Sequence, residues 1–170
     1  LPPLLRDLLR IQNLDWLRLL YLRPERVTSD LLELMAQEKR ICPYLDIPLQ
    51  HVSDSVLQAM HRPFTRKALQ ELIHKIRKAV PEAALRTTFM VGFPGEGEGD
   101  FQELIDFVTA TEFDHLGVFQ YSPEEGTPAS SYGDQIPAEV SQSRHDHLLE
   151  IQRRISLKKN RSRIGSVEPV

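Results

Sequence analysis

Cysteine is almost missing from this chain. The single Cys42 excludes an internal disulfide and any multi-cysteine metal site built from these residues alone. No apolar run approaches the roughly 20 residues that span a bilayer. The apolar start at Leu1 carries neither a basic leader nor a small-residue cleavage site. Basic charge is not in excess: the net charge is −3, so no global field argues for nucleic acid. The glycine-containing stretch 92–97 lacks both the Lys-Ser/Thr ending of a P-loop and the spacing of a dinucleotide fingerprint. Glu96, Glu98 and Asp100 would repel a phosphate there, whereas acids opening a helix are favoured by its dipole. His51, His61, His74, His115, His145 and His147 form no helical pair with a carboxylate at metal-ligand spacing, and no metal site is expected. What remains is an ordinary globular composition, 41% hydrophobic and 26% charged, for which the cytosol is the default location.

The patterns along the 170 residues alternate. Helical spacing over 4–11 gives way to a strand over 16–22, stopped by Pro24. Asp30, with Glu33 three residues on, opens a helix in capping-box style that runs to about Lys39. A strand over 43–50 follows. Ser53 suits the cap of a short helix, and Thr65 that of a longer one with an apolar stripe of Leu69, Leu72, Ile73, Ile76 and Val80. A third strand spans 85–93, a helix 101–111 and a fourth strand 116–121. After a Pro/Gly/Ser-rich stretch, Pro137 begins a last helix reaching about Arg161. This order predicts an α/β fold with parallel strands. Four strands make either an open doubly wound sheet or about half of an eight-stranded barrel.

Tyr44-Leu45-Asp46-Ile47-Pro48-Leu49-Gln50-His51 is the most informative segment. Leu45, Ile47 and Leu49 alternate with Asp46 and Gln50. A parallel strand covered on both faces would be apolar throughout, so a polar face suggests a lumen that holds a ligand. The alternative is that Asp46 and Gln50 satisfy nearby backbone groups. In either architecture ligands gather at the carboxyl ends of the strands. Those ends carry Tyr21 to Arg23, Gln50-His51, Gly92 to Glu96 and Gln120 to Pro123, a set suited to a nucleoside-like ligand. Arg86 shares a face with Thr88 and Met90, and if that face is the lumen it is a buried cation paired with Asp46. The last helix ends in Arg153, Arg154, Lys158, Lys159, Arg161 and Arg163. That cluster suits RNA contact, or simply a solvated helix C-terminus.

Together these segments resemble the radical S-adenosylmethionine methylthiotransferase family. The resemblance rests on 16–22, on Leu45-Asp46-Ile47-Pro48-Leu49-Gln50-His51, on Thr88 to Glu96 with its Gly-Phe-Pro-Gly-Glu core, and on Phe119 to Thr127. It implies a partial (βα) barrel, about half of a TIM-like barrel, over residues 1–164. It further implies S-adenosylmethionine bound over a 4Fe-4S cluster and cleaved to a 5′-deoxyadenosyl radical. A methylthio group is then transferred with the help of a second cluster. The aspartate in the second motif is similar to the type that modifies an aspartate of a small-subunit ribosomal protein. The sister type acts on tRNA and stays open as an alternative.

By motif position the resemblance places Gln50, Arg86, Val91, Gly92, Tyr121 and Ser122 around the cofactor. Asp46 and His51 would face the substrate, with a loop-bracing role as the other reading of His51. It assigns no catalytic residue. An electron donor is implied, and no membrane. The family's three-cysteine motif is absent, and its expected place is before Leu1. Residues 165–170 are expected to begin a further C-terminal β-domain. A cluster-free half-barrel acting as a binding module is the remaining alternative.

Overall fold

The computed structural model describes residues 1–167. Its elements are α1 (Pro2–Leu8), β1 (Leu17–Leu19), α2 (Ser29–Gln37), β2 (Ile41–Asp46), α3 (Asp54–Ala59), α4 (Arg66–Ala79), β3 (Ala84–Val91), α5 (Glu98–Thr111), β4 (His115–Gln120) and α6 (Ala138–Ser162). All four strands run parallel in the order β1-β2-β3-β4. The sheet stays open, and the architecture is a partial (βα) barrel. The expected start of a β-domain at 165–170 lies in part outside the described residues.

The two faces of the sheet differ. On the helix side Leu85, Thr87, Phe89 and Val91 of β3 are buried, while Arg86 between them is exposed and Thr88 and Met90 are half-buried. Phe89 meets Phe107 of α5 and Phe113 edge-on, with centroids 6.5 and 6.0 Å apart, the arrangement that ring quadrupoles favour. The opposite face leaves Trp16, Leu20 and Phe119 exposed. Arg18 stacks on Tyr44 there, 3.7 Å from the ring centroid. This is the lumen side of a half-barrel.

Three local expectations shift. The first strand is three residues long instead of spanning 16–22. Leu17 and Leu19 pair with Ile41 and Leu45, so β2 carries two extra residues around Pro43, which has no N–H for the ladder. The cap of α2 is Thr28, whose hydroxyl accepts from the Leu31 N–H at 3.3 Å; Asp30 instead pairs with Arg6. Ser53 occupies the N-cap position of α3 without capping it, and its hydroxyl donates to Asp100. Thr65 caps α4 as expected, accepting from the Ala68 N–H.

Much of the basic cluster on α6 is met by acids. Arg153 and Arg154 pair with Glu150, Lys158 with Glu112, and Lys159 with Asp114. Asp114 also accepts from the Leu85 N–H and lies 3.6 Å from Arg77. These partners hold its carboxyl below the usual range against the opposing effect of burial.

Candidate functional site

Beyond Asp46 the chain leaves β2 and pairs again at Gln50. Asp46 lies opposite Arg86 and Gln50 opposite Phe89, so four steps on one strand match three on the other. This is a one-residue bulge. Pro48 has no N–H to offer, and the Thr87 hydroxyl fills the gap by donating to the Ile47 carbonyl at 2.9 Å. Gln50 is then fixed by two backbone bonds to β3, N–H to Thr88 at 3.0 Å and carbonyl from Met90 at 2.7 Å. Its φ is +72°, a left-handed conformation uncommon for a residue with a side chain.

The bulge opens onto a cleft of about 310 Å³ at the carboxyl ends of β2, β3 and β4. Gln50, Met90, Phe93, Tyr121, Ser122 and Tyr132 are among its lining residues. Phe93 packs edge-on against Tyr121 and Tyr132, at 5.2 and 6.3 Å. The Gly95 N–H donates to the Asp134 carbonyl at 2.8 Å and ties down the loop that carries Tyr132. The Tyr121 hydroxyl is buried without a hydrogen-bond partner, an orphan that a polar ligand group would satisfy. A second cleft of about 400 Å³ adjoins it, sharing Gln50 and Arg62 and reaching Tyr21 and Arg23.

Beneath the cleft, the glycine loop is pinned from below by its own glutamate. Glu96 is 1% exposed and accepts from the Gly92 N–H at 2.6 Å and the Phe93 N–H at 3.2 Å. Arg144 of α6 donates to its carboxylate at 3.0 Å and to its carbonyl at 2.9 Å. Burial pushes the Glu96 carboxyl up, and the Arg144 charge and the two amides oppose it. His51 is fully buried beside this pair. Its Nδ1 accepts from the Ser53 N–H at 3.0 Å. Burial pushes its pKa down to about 4, so the ring is neutral near pH 7. Asp100 collects the Ser53 and Ser55 hydroxyls and the Gly97 N–H, joining the starts of α3 and α5.

Of the residues expected around a cofactor, Gln50, Tyr121 and Ser122 line one cleft. Val91 and Gly92 are not among its lining residues but adjoin those that are: the Val91 carbonyl accepts the Tyr121 N–H at 2.8 Å, and the Gly92 N–H donates to Glu96. Arg86 lies four residues before Met90, about 13 Å down the strand. It is opposite Asp46, with Nε 3.8 Å from Oδ1. The side chain is 47% exposed, so the expected buried cation is half in solvent, on a face that the described residues leave open. Asp46 is buried and Oδ1 has no hydrogen bond. His51 does not line the cleft.

Sequence patterns missed Glu96 as a pin and Arg144 as its partner. A signal for Arg144 exists. Ser141, Arg144, Leu148, Gln152 and Ile155 are the buried positions of α6, spaced 3, 4, 4 and 3 apart. A cation on the buried stripe of a helix needs an acid.

The model of the Radical SAM superfamily matches residues 1–108. The chain is 48% identical over 98% of its length to the ribosomal protein uS12 methylthiotransferase RimO of Syntrophotalea carbinolica, covering 37% of that protein. It is 48% identical over 100% of its length to the RimO of Pelobacter propionicus and 45% identical over 100% to that of Geobacter sulfurreducens, covering 38% of each. The chain thus spans less than two fifths of the length of these curated relatives. Among solved structures, HemN of Escherichia coli, a coproporphyrinogen III oxidase described as a radical SAM enzyme, superposes with a TM-score of 0.71 at 17% identity. The superposition covers 90% of this chain and 36% of that one, and it shows a shared fold.

Proposed function

The chain belongs to the radical SAM superfamily, and from that premise we propose that it is the cofactor-cradling part of an enzyme that methylthiolates an aspartate of ribosomal protein uS12. The carrying observation is 45–48% identity along essentially the whole chain to proteins described as uS12 methylthiotransferases. In this reading the cytoplasm is the location and an electron donor is a partner. No helix among the described residues is long and apolar enough to cross a membrane.

The residues present fit S-adenosylmethionine. The cleft is lined by Gln50, Ser122 and Tyr121, whose hydroxyl has no hydrogen-bond partner, among apolar and aromatic walls, which suits a nucleoside with a polar tail. They do not fit the iron-sulfur cluster. Cys42 stands alone at the start of β2, at the opposite end of the strand from the cleft, and no metal-holding group of His, Cys, Asp or Glu occurs among the described residues. The cluster ligands in this proposal are therefore outside the present sequence.

Bound together, cofactor and cluster supply one-electron chemistry that protein side chains lack. This chain binds and orients. Gln50, its backbone fixed by the bulge, lines the cleft, and Val91 and Gly92 follow Met90 at the end of the neighbouring strand. Met90, Phe93 and Tyr132 exclude water. Arg86 and Asp46 face the same lumen further down, where Arg86 is proposed to meet the cofactor's carboxylate and Asp46 the protein substrate. His51 braces the loop from beneath.

Incubated with S-adenosylmethionine, a reductant and sulfide as the sulfur source, the complete cluster-loaded protein is expected to add a methylthio group to an aspartate of uS12, read by mass spectrometry, and to leave tRNA unmodified. Modification of tRNA in place of uS12 would overturn the substrate assignment.

A further inference from the structure

The two edges of the open sheet are not alike. β1 offers three residues, and its register with β2 slips between Leu17 and Leu19. β4 offers six residues, His115–Gln120, in unbroken register with β3, from Arg86 opposite His115 to Val91 opposite Gln120. It pairs with β3 alone, so its outer side carries a row of N–H and C=O groups with no partner strand among the described residues. Edges of this kind are usually blunted by proline, lysine, a bulge or shortness. β4 has none of these, and His115 is its only ionisable side chain. It gives roughly 20 Å of edge, the length of an ordinary strand.

Two features tie this edge to the cleft. α6 covers β4 on the helix side, where Gln120 donates to Gln142 at 2.9 Å. The lumen side keeps Phe119 63% exposed, opposite Met90 of the cleft. The chain then continues into Tyr121, Ser122 and Glu124, which line that cleft. The charge beyond the edge has one sign. Residues 116–143 hold four acids, Glu124, Glu125, Asp134 and Glu139, and no Lys, Arg or His. None of the four forms an ion pair among the described residues.

We propose that β4 is the docking edge for the protein substrate. An extended basic segment of uS12 pairs along His115–Gln120 as an added strand, and its cations meet the carboxylates of the loop that follows. The inference rests on the methylthiotransferase reading and deepens it, because pairing at this edge carries an aspartate of the segment to the mouth of the cleft. A backbone edge recognises peptide N–H and C=O groups, and unpaired carboxylates repel a phosphate backbone. The surface therefore suits a protein and disfavours tRNA.

The test is residue-resolved amide exchange on the complete cluster-loaded protein with S-adenosylmethionine and no reductant, by itself, with uS12 and with tRNA. The Asp114 N–H donates to the Leu85 carbonyl at 3.0 Å. Alternation then turns the N–H groups of Leu116 and Val118 toward β3 and those of His115, Gly117 and Phe119 outward. The outward amides are expected to exchange fast in the protein by itself and at least tenfold more slowly with uS12. Leu116 and Val118 should be slow throughout. Gly117→Pro removes one outward N–H, and Glu125→Lys reverses one charge. Each is expected to weaken uS12 binding by roughly fivefold or more and to leave S-adenosylmethionine affinity unchanged. Outward amides already slow without uS12 would mean that another segment of the chain or a second copy covers the edge, and would overturn the inference. Slowing by tRNA in place of uS12 would overturn it as well. Unchanged exchange in a parent that modifies uS12 once reductant and sulfide are added would overturn this inference alone. A parent that does not modify uS12 would overturn the functional reading and this inference with it.

Discussion

Arg144→Ala is expected to destabilise the protein by about 3–5 kcal/mol, the usual cost of removing one partner from a buried ion pair. The side chains of Arg144 and Glu96 are 8% and 0% exposed. Removing the guanidinium leaves a buried carboxylate with only the Gly92 and Phe93 amides. Burial already pushes Glu96 up, and without Arg144 its folded-state pKa rises further above the unfolded value. As pH rises through the carboxylate range, the unfolded chain then releases its proton first. The variant's deficit should therefore be smallest at low pH and grow toward neutrality. Glu96→Gln in the same chain keeps acceptors for the amides without the charge and is expected to restore part of the loss. Urea unfolding at two pH values measures all of this. A single Arg144→Ala deficit below about 1 kcal/mol would mean that the pair behaves as a surface salt bridge.

Gly92→Ala should be comparably damaging, for two separable reasons. Gly92 has φ +74°, and a Cβ there would lie 1.9 Å from the Ser141 hydroxyl oxygen and 2.8 Å from its Cβ. The left-handed backbone costs roughly 1–2 kcal/mol for a residue with a Cβ. Overpacking against α6 adds roughly 1–3 kcal/mol. Gly95 separates the two terms. Its φ is +84° with nothing within 4 Å of an added Cβ, so Gly95→Ala should show the backbone cost alone. Adding Ser141→Gly to Gly92→Ala should recover only the packing part. Equal losses from Gly92→Ala and Gly95→Ala would show that α6 yields to the new methyl group.

The elements whose signals are local were legible in the sequence. The apolar stripe and Thr65 cap of α4, and the placing of Arg86, Thr88 and Met90 on one face of β3, follow from residues within one or two turns or strand steps. The cap of α2 was misread because Thr28 and Asp30 are both good caps two residues apart. The choice between them depends on where the backbone leaves the extended region. The bulge before Gln50 could not be read locally at all, since the Thr87 hydroxyl that fills it lies 40 residues away. The Glu96–Arg144 lock spans 48 residues and hides in segments whose charges read as solvated. The spacing of α6 puts Arg144 on one stripe with Leu148, Gln152 and Ile155, but the acid it meets is set by how α6 packs across the glycine loop. The Asp46–Arg86 pairing was legible from strand parity, but its exposure was not, because parity does not say whether a face is covered.

The most direct test of the site is the affinity of the complete cluster-loaded protein for S-adenosylmethionine, measured for the parent, Gln50→Ala and Arg86→Ala. With Gln50 lining the cleft, loss of its side chain should weaken binding roughly tenfold, about 1.4 kcal/mol. Arg86→Ala reports on the lower part of the same face and should also weaken binding. Unchanged affinity in both variants would contradict the placement of the cofactor at the carboxyl ends of β2, β3 and β4.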